Sequence, residues 1–76
     1  MKDLLEIIAK RLVDFPEQVT VTEIPTEKGC TLELRVSGED MGKVIGKQGK
    51  IAKAIRTVVR AAAIHNGVHV SVVIVQ

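Results

Sequence analysis

Hydrophobic positions along the 76 residues change their period several times, and each change marks an element. Leu5, Ile8, Ala9 and Leu12 recur at helical spacing with Lys10 and Arg11 on other faces, and Asp3 stands three residues before Glu6, a capping-box spacing. An opening helix is predicted, ending at Asp14-Phe15-Pro16 because the residue before a proline is pushed out of the helical region. Val19–Ile24 (VTVTEI) and Cys30–Val36 (CTLELRV) alternate and are rich in β-branched residues, so they read as strands joined by the turn chemistry of Pro25–Gly29. Leu32, Leu34 and Val36 share one side of the second strand and Thr31, Glu33 and Arg35 the other, giving a hairpin with one wet face. Ser37 and Asp40 repeat the capping spacing and open a short helix, Glu39–Ile45. A further helix is predicted from about Lys50 to His65, with Ile51, Ile55, Val58, Val59 and Ala62 on its apolar stripe and Lys50, Lys53, Thr57 and Arg60 opposite. Asn66 and Gly67 stop it. Val68–Gln76 reads as a last strand, too apolar to be an exposed edge, with Val68, Val70, Val72 and Ile74 on one face.

The order αββααβ predicts an α+β two-layer sandwich, a three-stranded sheet with three helices on one face. A chain of this length holds one small domain, 1–76. Hydrophobic residues make up 46% but aromatic ones only 1%, so Val, Ile, Leu and Ala must build the core. With Phe15 the single ring, stacking of bases on aromatic platforms is nearly excluded, which argues against the RRM and OB classes of nucleic-acid binder. Cys30 is alone, so no internal disulfide forms and packing is its expected role. No stretch looks like a signal peptide or an apolar run of about 20 residues, and the expected location is the cytosol.

Charge changes the picture once it is divided along the chain. Residues 1–40 hold all 9 acids and 5 of the 11 bases, whereas residues 41–76 hold 6 bases and no acid. Interspersed signs would serve solubility as well, so a purely basic half points to a polyanion. At its centre Gly46 and Gly49 bracket Lys47 and Gln48 between two apolar helical patterns, which implies a tight turn. Glycine tolerates positive φ and lets backbone N–H groups approach a ligand, and replacing either glycine is costly if the turn needs positive φ there. The helix starting after Gly49 directs its unpaired N–H groups and positive dipole end at the turn. With Lys43, Lys47, Lys50 and Lys53 nearby, the favoured ligand is a chain of phosphates. Arg56 and Arg60 are further off and read equally well as a solvated face.

Other chemistry is absent from the pattern. GKVIGK has three residues between Gly42 and Gly46 where a P-loop has four, with Gln48 where that loop has Ser or Thr, and no strand precedes it. His65 and His69 straddle Asn66-Gly67 and share no helix face, so no metal site is expected. Ser71 and His69 share a strand face but stand roughly 6.6 Å apart with no carboxylate in that half to orient the imidazole, so no catalytic residue and no cofactor is assigned.

VIGKQGK between two helices, behind a hairpin and ahead of a strand, resembles the GxxG core of a KH domain, and αββααβ is the element order of its type II form. EDMGKVIGKQGKIAKAIRTVVRAAA is similar to the KhpA family of small bacterial KH proteins, and the resemblance covers essentially the whole chain. It departs from the wider KH pattern in having Ala52 where a large aliphatic residue commonly follows the second glycine. The resemblance implies an RNA chaperone or post-transcriptional regulator that holds about four nucleotides of single-stranded RNA backbone at Gly46, Lys47, Gln48 and Gly49, with bases on an aliphatic groove. Lys43, Lys50 and Lys53 would supply the field, and Val44 and Ile45, beside the turn, are counted among the RNA-binding residues. It further implies a homodimer and pairing with a larger KhpB/Jag-type KH protein. The alternative is an assembly module that dimerises through the same helix-turn-helix, where Ala54 and Ala61 would let helices approach, so that RNA and a second subunit compete.

Overall fold

In the computed structural model residues 1–75 are described, apart from the side chain of Lys47; Gln76, assigned above to the last strand, lies outside them. Helix α1 (Lys2–Leu12) leads through a 3₁₀ turn (Pro16–Gln18) into strands β1 (Thr20–Pro25) and β2 (Gly29–Arg35), then α2 (Gly38–His65) and β3 (His69–Val75). The mixed α+β order is that of a KH-type fold. α1 does not start at a capping box. Its N-cap is Met1, whose carbonyl accepts from Leu5 N–H at 3.1 Å, and Asp3 sits in the first turn instead, where its charge opposes the helix dipole. The earlier start lets Met1 pack against the core.

α2 contains the predicted turn. Gln48 and Gly49 have φ of 65° and 69°, and two successive left-handed residues cannot continue a right-handed helix. They divide α2 into a first limb, 38–47, and a second limb, 50–65. On the second limb the buried stripe is Ala52, Ile55, Val59 and Ala63, whereas Val58 is 45% exposed. The predicted stripe is thus rotated. Pattern alone favours the bulkier side chains, but small residues at 52 and 63 allow the limb to lie close on the sheet, and Val58 turns outward. Leu5 and Ala9 of α1, Val21 of β1, Leu32 and Leu34 of β2 and Val44 of the first limb belong to the same core.

The sheet order is β1-β2-β3, with β1 antiparallel to β2 (Thr20 opposite Arg35) and β3 parallel to it (Gly29 opposite His69, Leu34 opposite Ile74). This overturns the expectation that β3 lies inside the sheet, because it is an edge strand. Its apolarity has another source. Val70, Val72 and Ile74 pack on the core beneath α2, while Val73, on the open face, is 44% exposed. The two ends of β3 fix which backbone groups are free. His69 N–H donates to the Lys28 carbonyl and the Val75 carbonyl accepts from Val36 N–H. A strand residue points its N–H and C=O the same way, alternating along the chain, so Val70, Val72 and Ile74 aim theirs at the outer edge.

Candidate nucleic-acid interface

The first limb is positioned by its own cap. Ser37 Oγ accepts from Asp40 N–H at 3.0 Å, as the capping spacing predicts. Asp40 does more than cap. Only 1% exposed, its carboxylate accepts from the backbone N–H groups of Asp14 (2.9 Å) and Phe15 (3.0 Å) and from the Ser37 hydroxyl (3.0 Å). Burial pushes this carboxyl up, but the Asp14 N–H, the Ser37 hydroxyl, the Phe15 N–H and the Lys43 charge together outweigh it and hold the group below the ordinary aspartate range. The loop after α1 is thereby tied to the start of α2, which sets where the limb delivers the turn.

Around the turn the predicted residues separate. Gly46, Gln48 and Gly49 come together at the joint, with Lys50 opening the second limb and Lys53 one helical turn on; both lysines are exposed. The side chain of Lys47 lies outside the described residues. Positive φ falls on Gln48 and Gly49 but not on Gly46, so the two glycines have different reasons to be there. A side-chain carbon on Gly46 would meet nothing within 4 Å, so the fold leaves that surface clear. Ile45 is 49% exposed beside it, whereas Val44 is fully buried; Val44 belongs to the core and offers a ligand no surface, a correction to its expected place among the RNA-binding residues. Lys43 Nζ pairs with Asp14 Oδ1 at 3.2 Å, a surface contact worth about 1 kcal/mol at most and open to competition from a phosphate.

Beyond the turn a groove runs between the second limb and the outer edge of β3. Arg56, Arg60, Val70, Ser71 and Val72 line its nearer part. Ala63, Ile64, Val68 and His69 continue it beyond Arg60. Among the described residues neither Arg56 nor Arg60 has a hydrogen-bond or ion-pair partner. From the sequence these arginines read equally well as a solvated face. The signal lay in their i, i+4 spacing one position past the buried Ile55 and Val59, which sets both on the flank of the limb that meets the sheet. Cys30 sits on the helix side of the sheet, and burial together with the Glu23 carboxylate pushes its thiol up, so it stays protonated at neutral pH. Among the described residues no group of three or more His, Cys, Asp or Glu is placed to hold a metal, and no helix is long and apolar enough to cross a membrane.

Comparison with known proteins bears on the whole chain, turn and groove together. The family described as KhpA/KhpB, KH domain, matches residues 2–74. The chain belongs to that family. The RNA-binding protein KhpA of Clostridium perfringens is 65% identical over 75 residues, covering 99% of this chain and all of that protein. KhpA of Clostridium acetobutylicum is 60% identical over 75 residues with the same coverage, and that of Aquifex aeolicus 54% over 61 residues, 80% of this chain and 77% of that protein. No solved structure matches. The Gly46-Lys47-Gln48-Gly49 turn lies within the matched residues, and its distinctive backbone is the left-handed pair at its second half.

Proposed function

We propose that this chain binds single-stranded RNA, as an RNA chaperone or post-transcriptional regulator in the cytoplasm and without catalytic chemistry of its own. The observation that carries the reading is the turn: left-handed Gln48 and Gly49 beside an unobstructed Gly46, in a half of the chain that has no carboxylate. The sugar-phosphate backbone of about four nucleotides lies on Gly46–Gly49. Gly46 allows close approach, Lys47 and Gln48 supply a charge and an amide, and Lys43, Lys50 and Lys53 the surrounding field. Bases then lie along Ile45 and the end of the groove nearest the turn, beside Arg56, where the outward N–H and C=O groups of Val72 and Ile74 are a donor and acceptor row. The test is the double variant Lys47→Asp with Gln48→Asp, since aspartate is among the residues that tolerate positive φ. Its circular dichroism and melting stay near wild type while affinity for a short unstructured RNA falls by about tenfold or more, the loss of a charge-assisted contact of about 1.5 kcal/mol with repulsion added. A folded double variant that binds RNA normally refutes the site.

A second reading rests on a different observation. Ala54, Val58 and Ala61 stand exposed at i, i+4, i+7 on the second limb, Val58 at 45%, an apolar stripe of small residues that lets another helix approach. We assign homodimer formation, and pairing with a larger KhpB/Jag-type KH protein, to this stripe. At about 100° per residue it lies well around the limb from Arg56 and Arg60, so RNA and a second subunit are bound together rather than in competition.

A further inference from the structure

The groove continues past the reach of the turn. We propose that Arg60, with His69 beside it, forms a distal phosphate subsite, so that the RNA footprint extends beyond the four nucleotides held at Gly46–Gly49; this rests on the RNA reading above. The second limb rises about 1.5 Å per residue, which puts Arg60 roughly 15 Å along the helix from Lys50. β3 runs back beside the limb, so Arg56 lines only the part of the groove made with Val70, Ser71 and Val72, while Arg60 also lines the part that reaches Val68 and His69. The groove is continuous because both of its parts share Arg60, Val70 and Ser71.

Three features make the far end fit an anionic chain. Arg56 and Arg60 have no partner among the described residues, so their charges are open to a ligand. Residues 41–76 contain no acid, so both walls of the groove, second limb and β3, are free of carboxylates. The planar guanidinium is also the side chain best matched to bidentate phosphate contact. A second copy of this chain fits poorly here, since pairing two β3 edges about a two-fold axis would bring four arginines together.

The experiment compares unstructured RNA oligonucleotides of about four and about eight residues, titrated at several salt concentrations against wild type, Arg60→Gln and Arg60→Lys. Arg60 is exposed, so the variants keep the fold, and melting checks this. Each phosphate neutralised on a single strand adds about 0.7 to the slope of log K against log salt. With the long RNA, Arg60→Gln flattens the slope by about 0.7 and weakens binding several-fold, while Arg60→Lys retains the slope. With the short RNA, Arg60→Gln and wild type coincide. If Arg60→Gln leaves the long RNA unchanged, or weakens short and long RNA alike, the distal subsite is overturned. Saturable binding of an acidic extended peptide in place of the longer RNA overturns it too. Loss of all RNA binding by wild type would instead remove the RNA reading itself, and the two failures are distinguished by whether the short RNA still binds.

Discussion

Gly46, Gly49 and Gly29 share a residue type and have three different tasks. Gly49 supplies a left-handed backbone, so Gly49→Ala costs about 1–2 kcal/mol. Gly46 has neither positive φ nor a neighbour to clash with, so Gly46→Ala raises stability by up to about 1 kcal/mol through helix propensity while its new methyl obstructs the phosphates. Thermal melts beside RNA titrations separate the two: one variant loses stability, the other loses affinity. At Gly29 a side-chain carbon would come within 3 Å of the backbone of His69, its carbonyl oxygen included, so β3 must shift. Gly29→Ala should cost about 3 kcal/mol, the upper end for overpacking, in a chemical denaturation curve. Asp40 is a fourth residue with a legible test. Its folded pKa is depressed, so its stabilisation is present above the ordinary aspartate value and is lost as pH falls through the lower folded value. Asp40→Asn should lower the melting temperature at neutral pH and flatten its decline below about pH 4, the unperturbed aspartate range; an unchanged acid limb would sink this account.

At the scale of elements, what the sequence made legible is what local rules determine. Ser37 marks the start of α2, alternation marks β1 and β2, and Asn66-Gly67 marks the end of the second limb. The turn is readable because glycines interrupt a helical pattern, although the left-handed pair is Gln48 and Gly49 where the two glycines were the simpler choice. Readings failed where two elements had to be docked to decide. Which stripe of the second limb is buried depends on how closely it lies on the sheet, and Val58, bulky and apolar, is outside because Ala52 and Ala63 are inside. The same docking brings Arg56 and Arg60 to β3 and sends Val44 to the core. Val58→Asp tests the outward face: it should leave the melting temperature within a few degrees of wild type while reducing the mass seen in light scattering to that of one subunit, with RNA affinity per subunit little changed. A variant that stays dimeric places the subunit contact elsewhere, most simply on the open sheet.

On the scale of the whole molecule, all 9 acids lie in residues 1–40, up to the first turn of α2, while residues 41–76 carry 6 cations and no acid, so the protein carries a charge asymmetry that its net charge of +2 conceals. With about three or four phosphates neutralised at the turn, log K for a short single-stranded RNA should fall with log salt at a slope of about −2 to −3. A flat response in titrations across salt would remove the role given to the lysines. The parallel pairing of β2 with β3 bears on how the chain assembles in time. The hairpin of β1 and β2 joins residues close in sequence, whereas β3 pairs with β2 across the whole length of α2. Loop-closure entropy makes such a contact late. Until then β2 has a bare edge where β3 will lie, and a nascent chain still lacking His69–Val75 has no means of covering it. The strand that lines the groove is therefore also the one that closes the sheet, so a truncation there is expected to produce an aggregating protein before it produces an inactive one.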